Sequence, residues 1–168
     1  MMPAKDSKRG RRDAKKPADE FDQRIIEIAR VTRVTKGGKR MRFRACVVIG
    51  DKKGKVGVGV KKGADVTIAV NKAVTSAKKN LITVKIVNDT IPHAVDTKFK
   101  AAKILLKPAP QGTGIIAGGV VRSVAELAGI KNIVGKIKGT RNKINNVKAT
   151  LQALSSLRNR QDFKDLRK

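Results

Sequence analysis

The sequence contains no tryptophan and no tyrosine, and only four phenylalanines, Phe21, Phe43, Phe99 and Phe163. Proteins that read single-stranded nucleic acid usually stack bases on aromatic platforms, and four scattered rings cannot build an extended one. It has one cysteine, Cys46, so no internal disulfide forms, as expected in a reducing compartment. Within the apolar run around Val47 that cysteine suits core packing better than nucleophilic chemistry. The one histidine, His93, has no second His or Cys near it, which excludes the usual zinc sites. No H-E-x-x-H, G-x-S-x-G or Cys/His pairing is present. No apolar run approaches the roughly 20 residues of a spanning helix, and Met1 to Glu20 lacks the apolar region of a secretory signal. The expectation is a protein that stays in the compartment where it is made.

Acidic residues are also scarce. Asp and Glu total 13 against 40 Lys and Arg, a formal charge of +27 over 168 residues. Such a surplus repels itself unless a polyanion neutralises it, and nucleic acid is the commonest one. With aromatic stacking ruled out, folded or duplex RNA recognised by backbone and shape is the expected target. Hydrophobic residues at 40% still suffice for a core.

Residues 1–20 are basic and almost devoid of apolar side chains, and read as a disordered tail that either solubilises or touches a partner. Residues 158–168 read as a second charged tail. From Arg24 to Val34 the Ile, Val and Thr content predicts a strand, and Thr35 to Lys39 a turn. In Arg40 to Ile49, Met41, Phe43, Ala45, Val47 and Ile49 fall at period two, with Arg40, Arg42 and Arg44 on the other face. Gly50 to Gly54 closes a hairpin, and Lys55 to Lys61 alternates again, valines inward and Lys or Gly outward. Residues 64–80 change to helical spacing, with Ala69, Val70, Ala73, Val74 and Ala77 on one stripe and Asp65 as N-cap.

A strand from Ile82 to Val87 opens the second half, followed by turns at Asn88-Asp89 and Ile91-Pro92. Val95 to Phe99 and Ala101 to Lys107 are strand candidates, Val120 to Ala128 a helix and Ile133 to Ile137 a short strand. A final helix is expected after Asn145-Asn146. The fold class is α+β in two small domains. A β-β-β-α unit occupies residues 21–84, and a two-layer unit of βαβα type occupies residues 85–157.

Two loops carry the candidate chemistry. Lys36, Gly37, Gly38, Lys39 and Arg40 combine close backbone approach with positive charge, and Arg42 and Arg44 extend the charge along the strand. Lys52, Lys53 and Lys55 add to the array. Gly112, Thr113, Gly114, Gly118 and Gly119 lack both the Rossmann spacing and the Gly-Lys-Ser/Thr ending of a P-loop, so no cofactor is expected. Two readings stand side by side: glycines for tight helix packing, or glycines that bring backbone N–H groups to RNA phosphates at a helix N-terminus.

The string Val31 to Ala45, followed by Val48-Ile-Gly-Asp and Gly54-Lys-Val-Gly, resembles the N-terminal motif of the small-subunit ribosomal protein family S-five. Gln111-Gly-Thr-Gly-Ile-Ile-Ala-Gly-Gly with Arg122, and Gly139 to Ala149, resemble its C-terminal motifs. The resemblance covers about residues 24–157. It implies a first domain that varies the double-stranded-RNA-binding fold and a second containing a βαβ unit. It also implies a non-enzymatic, cytoplasmic component of the small ribosomal subunit, between body and head. Its partners would be small-subunit rRNA and the ribosomal proteins S-four and S-eight, with no membrane and no homo-oligomer. Arg33 and the Lys36–Arg40 loop would touch head-region RNA. Gly112 to Gly119 would lie near body RNA, with Gly114 and Arg122 at the S-four interface where accuracy is tuned. The alternative is a free-standing regulator that binds duplex RNA outside the ribosome.

Overall fold

In the computed structural model, residues 21–158 are described, so both expected tails lie outside the described residues, apart from the exposed Arg158. Strands β1 (Asp22–Thr35), β2 (Gly38–Gly50) and β3 (Lys55–Gly63) form an antiparallel meander. Helix α1 (Val66–Lys79) follows, and β4 (Leu81–Thr83) then pairs with β3 to complete a four-stranded sheet in the order β1-β2-β3-β4. The segment expected as a strand from Ile82 to Val87 is therefore corrected. Only its start is extended, and that start belongs to the first sheet. Asn88 and Asp89 follow with left-handed backbones, closing a turn through reciprocal hydrogen bonds between Val87 and Thr90.

The second half contains β5 (Val95–Phe99), β6 (Ala102–Pro108), β7 (Ile115–Ile116), α2 (Gly119–Ala128), β8 (Ile133–Gly139) and α3 (Lys143–Ser155). Its sheet runs β5-β6-β8-β7, and only β7 and β8 pair in parallel, with α2 as their crossover. The βαβ unit implied by the resemblance is thus β7-α2-β8. Its two-residue first strand is too short for periodicity to reveal. The final helix begins at Lys143, so Asn145 and Asn146 lie inside it. Its N-cap is Asn142, whose Oδ1 accepts hydrogen bonds from the N–H groups of Ile144 and Asn145. Asp65 occupies the N-cap position of α1, but its side chain makes no capping hydrogen bond.

The layers explain the burial. Helix α1 covers one face of the first sheet, where Ala45, Val47 and Ile49 meet Ala69, Ala73 and Ala77. Helices α2 and α3 touch strands of both sheets. They share one large cluster that runs from Cys46, Val48 and Val56 through Val124 and Leu154 to Ile104 and Leu106. One core is therefore common to both halves, and a smaller one lies under α1. The run Ala45 to Ile49 is buried on both faces, each residue at most 1% exposed.

The glycines of β3 reverse another expectation. Gly57, Gly59 and Gly63 face α1 and are not turned outward. A Cβ on Gly57 would lie 2.6 Å from the carbonyl oxygen of Ala77, and one on Gly63 2.6 Å from the nitrogen of Ala69. Alanines on the helix and glycines on the strand let the two backbones approach, while the β3 valines serve the larger core on the opposite side.

Candidate nucleic-acid interface

β1 and β2 outrun the rest of their sheet, and residues 32–42 are all exposed. The hairpin projects as an arm, with Lys36 and Gly37 alone forming the turn between Thr35 and Gly38. Thr35 Oγ1 donates to the Gly38 carbonyl at 3.1 Å, and Gly38 takes a left-handed backbone with φ of 145°. The expected five-residue turn is shorter because Gly38 and Lys39 already pair with Thr35 and Val34. Met41, expected in the core, is 55% exposed, because α1 does not extend beneath the arm.

Register decides which charges gather. Arg40 stands opposite Arg33, Arg42 opposite Val31, and Arg44 between Ala29 and Lys62. Directly opposite residues of an antiparallel pair share a face, so Arg33, Arg40, Arg42, Arg44 and Lys62 form one strip. Arg33, Arg40, Arg42 and Lys62 line a shallow cleft of about 280 Å³ on it. Arg33, Lys36, Lys39, Arg40 and Arg42 make no ion pair with any described residue. Arg44 differs from its neighbours, since Glu27 lies 3.8 Å from its guanidinium. Of the three arginines on this face of β2, only Arg40 and Arg42 are without a described counter-charge.

Lys52 and Lys53 lie on a docked loop that offers no free tip. Lys52 N–H donates to the carbonyl of Leu127 at 3.0 Å, and Gly54 N–H to that of Ala128 at 2.9 Å. The loop thereby satisfies carbonyls at the C-terminus of α2. Asp51 Oδ1 accepts from the N–H groups of Lys53 at 2.7 Å and Lys55 at 2.9 Å. Partial burial pushes that carboxyl up, but these hydrogen bonds outweigh it and hold the group below its ordinary value. The Lys52 ammonium pairs with Asp22. Lys53 and Lys55 are exposed and make no such pair with any described residue.

The glycine segment bridges Pro110 to α2. Gly112 and Gly114 have φ of 89° and 72°, which explains glycine at both. A Cβ at Gly112, Gly114 or Gly119 would meet nothing within 4 Å, so tight helix packing does not require these residues. Only Gly118 comes close to a neighbour, the Ile137 side chain. Gly114 N–H donates to the Oδ1 of the buried Asn132 at 3.0 Å. Thr113 N–H donates to the Pro110 carbonyl at 3.3 Å. Gly118 and Gly119 are exposed at the start of α2, where no side chain caps the helix. Arg122 donates to the Ile115 carbonyl at 3.0 Å, tying α2 to β7. Beside it Ile116 and Val134, 55% and 37% exposed, leave an apolar strip at the edge of the second sheet.

The two candidate regions are distinct, the arm on the first sheet and the glycine segment beside the second. The shared core fixes them relative to each other. Cys46 lies 1% exposed in that core, where burial and the nearby Glu27 push its thiol up to about 11. Among the described residues, no group of three or more His, Cys, Asp or Glu could hold a metal ion. No described helix is long and apolar enough to cross a membrane.

Residues 21–85 match the model for the ribosomal protein S5 N-terminal domain, and residues 97–167 match that for the ribosomal protein S5 C-terminal domain. A protein of Emiliania huxleyi named small ribosomal subunit protein uS5c is 50% identical over 140 residues, covering 83% of this chain and 88% of the relative. The chain belongs to the ribosomal protein S5 family. Small ribosomal subunit protein uS5 of Thermotoga maritima is 53% identical over 116 residues, 69% of this chain. That of Mycoplasma mobile is 52% identical over 154 residues, 91% of this chain. The matched stretches span 65% and 63% of those two relatives' own lengths.

Proposed function

We propose that this chain is a structural, non-catalytic, rRNA-binding component of the small ribosomal subunit, acting in the cytoplasm. The observation that carries the reading is the strip on the arm, where Arg33, Arg40 and Arg42 share one exposed face without counter-charges from described residues. Like charges directly opposite across a strand pair are destabilising, and phosphates on that face would relieve the cost. The relatives named as small ribosomal subunit proteins support the ribosomal setting.

On this reading the arm clamps head-region RNA through Arg33, Lys36, Gly37, Gly38, Lys39, Arg40, Arg42 and Arg44, with Lys52, Lys53 and Lys55 as auxiliary cations. Gly112, Thr113, Gly114, Gly118 and Gly119 meet body RNA. The apolar edge at Ile116 and Val134, with Gly114 and Arg122 beside it, takes the neighbour S-four and so contributes to translational accuracy. S-eight is the second protein neighbour. A rigid shared core suits this work, because a clamp holds two RNA segments only if its contact points keep their separation.

Sedimentation of native lysate through sucrose gradients at low and high salt tests the proposal. The expected result is co-migration with small subunits that persists as salt rises. Migration at the top of the gradient would overturn it and favour a duplex-RNA regulator outside the ribosome.

A further inference from the structure

The glycine segment has little side-chain packing to hold it. Gly112 and Gly114 take left-handed backbones, and a Cβ at Gly112, Gly114 or Gly119 would meet nothing within 4 Å. Glycine gives up more conformational freedom on ordering than any other residue, so such a segment keeps one shape only where its backbone is tied down. Two side chains tie it, and both lead to the turn that joins the halves of the chain. Ala109 N–H, just before the segment, donates to Thr90 Oγ1 at 3.2 Å. Gly114 N–H, at its centre, donates to Asn132 Oδ1 at 3.0 Å.

Asn132 lies in the connection between α2 and β8 and is 6% exposed. Backbone contacts set its place. The N–H groups of Asn132 at 3.0 Å and Lys131 at 3.1 Å both donate to the Asp89 carbonyl, which fills both lone pairs of that oxygen. The Lys131 ammonium also pairs with the Asp89 carboxylate at 3.2 Å, an exposed contact that solvent screens. The turn is closed in its own right by the reciprocal bonds of Val87 and Thr90, with Asn88 and Asp89 as residue types that tolerate the left-handed backbone. A buried amide oxygen needs a donor, and the Gly114 N–H supplies it. Ile133 N–H donates to the Gly114 carbonyl at 3.1 Å, so Gly114 is held through both of its backbone polar groups.

We propose that Asn132 is the positioning residue of the glycine segment: its amide oxygen, aimed by the Asp89 carbonyl of the junction turn, fixes the left-handed Gly112–Gly114 backbone in the form that a partner meets. Asn132 is itself buried and acts through Gly114. The turn follows β4 of the first sheet, so the first half of the chain sets the shape of a contact surface on the second. The proposal rests on the reading of the glycine segment as a contact surface, and it names the buried group that gives that surface its form.

Two readouts on the full chain test this. In amide hydrogen exchange followed by NMR, Asn132→Leu should speed exchange at Gly114 about fivefold, the worth of one net hydrogen bond, and leave the α1 amides unchanged. In reconstituted small-subunit particles, an iron chelate tethered at Thr113→Cys should cut rRNA at sharp positions in the parent. With Asn132→Leu those cuts should spread and weaken severalfold, while cuts from a tether at Lys36→Cys stay as they were. Cys46 is 1% exposed, which leaves the introduced thiol as the attachment point. Asn132→Asp keeps the acceptor and should restore both readouts, which a loss of packing alone would not require. If Asn132→Leu does not fold, the near-isosteric Thr90→Val takes its place and should speed exchange at Ala109 and spread the cuts from residue 113. Gly114 exchange unchanged by Asn132→Leu, cuts unchanged by whichever variant folds, or no restoration by a folded Asn132→Asp would overturn the proposal. A parent particle left uncut from residue 113 would overturn the contact reading instead, because Gly114 exchange reports the anchor without any partner.

Discussion

Gly59 on β3 lies directly against Ala73 on α1: a Cβ added at Gly59 would overlap the Ala73 carbonyl oxygen and stand 2.9 Å from the Ala77 nitrogen. The obstruction is helix backbone, which cannot rotate away as a side chain can. Gly59→Ala should therefore lift α1 off the sheet and destabilise the protein by about 1–3 kcal/mol, the usual cost of overpacking. Gly119→Ala is the control, since its Cβ would enter open space and its backbone is not left-handed. It should change stability by less than about 0.5 kcal/mol. Urea midpoints measured on both variants check the pair.

Arg42→Glu should weaken RNA binding without unfolding the protein, because residue 42 lies on the exposed arm. On the proposed reading it removes one phosphate contact, so the dependence of log K on log salt should flatten by about one. Arg44→Gln should cost less affinity, since Arg44 already faces Glu27. Filter binding of small-subunit rRNA at several salt concentrations, with melting curves for each variant, measures both effects. Unchanged binding by Arg42→Glu would count against the strip.

Cys46 gives stability an alkaline limb. Its thiol is pushed from an ordinary value of 9.0 to about 11, first by burial and then by Glu27, against weaker opposing effects of Arg44 and Lys148. The unfolded chain therefore releases this proton at lower pH than the folded one. The contribution is complete below pH 9, declines as pH rises towards 11 and is then gone, a loss on the order of 2 kcal/mol. Cys46→Ala should remove this component. Subtracting its denaturation curves from those of the parent between pH 8 and about 11 isolates the effect.

Asp51 should act at the acid end. Hydrogen bonds from Lys53 and Lys55 hold its carboxyl below the ordinary value, so its contribution is full above that value and lost as pH falls through the folded one. Asp51→Ala should flatten the acid limb and loosen the Gly50–Gly54 loop from the end of α2. Faster hydrogen exchange at Lys53 and Lys55, whose N–H groups Asp51 accepts, would report the second effect directly.

Much of this protein was legible in its residues alone. The +27 charge and the absence of Trp and Tyr pointed to a polyanion held by its backbone. Period-two alternation located β2, helical spacing located α1, and Asn88-Asp89 announced a turn that their left-handed backbones confirm. Two ordered motif sets named the family. Those signals are local: side-chain periodicity and turn chemistry depend on a few neighbouring residues.

Tertiary structure decided what each face meets. Alternation in β2 gave one apolar face, yet Cys46 and Val48 on the arginine side are buried because α2 and α3, from the other half of the chain, close over them. Further along the same strand no described segment closes, so Arg40, Met41 and Arg42 are exposed. The β3 glycines face a helix, and β4 joins the first sheet although it follows α1 in sequence. Each outcome depends on which distant segment arrives to cover a surface, and side-chain periodicity holds no record of that.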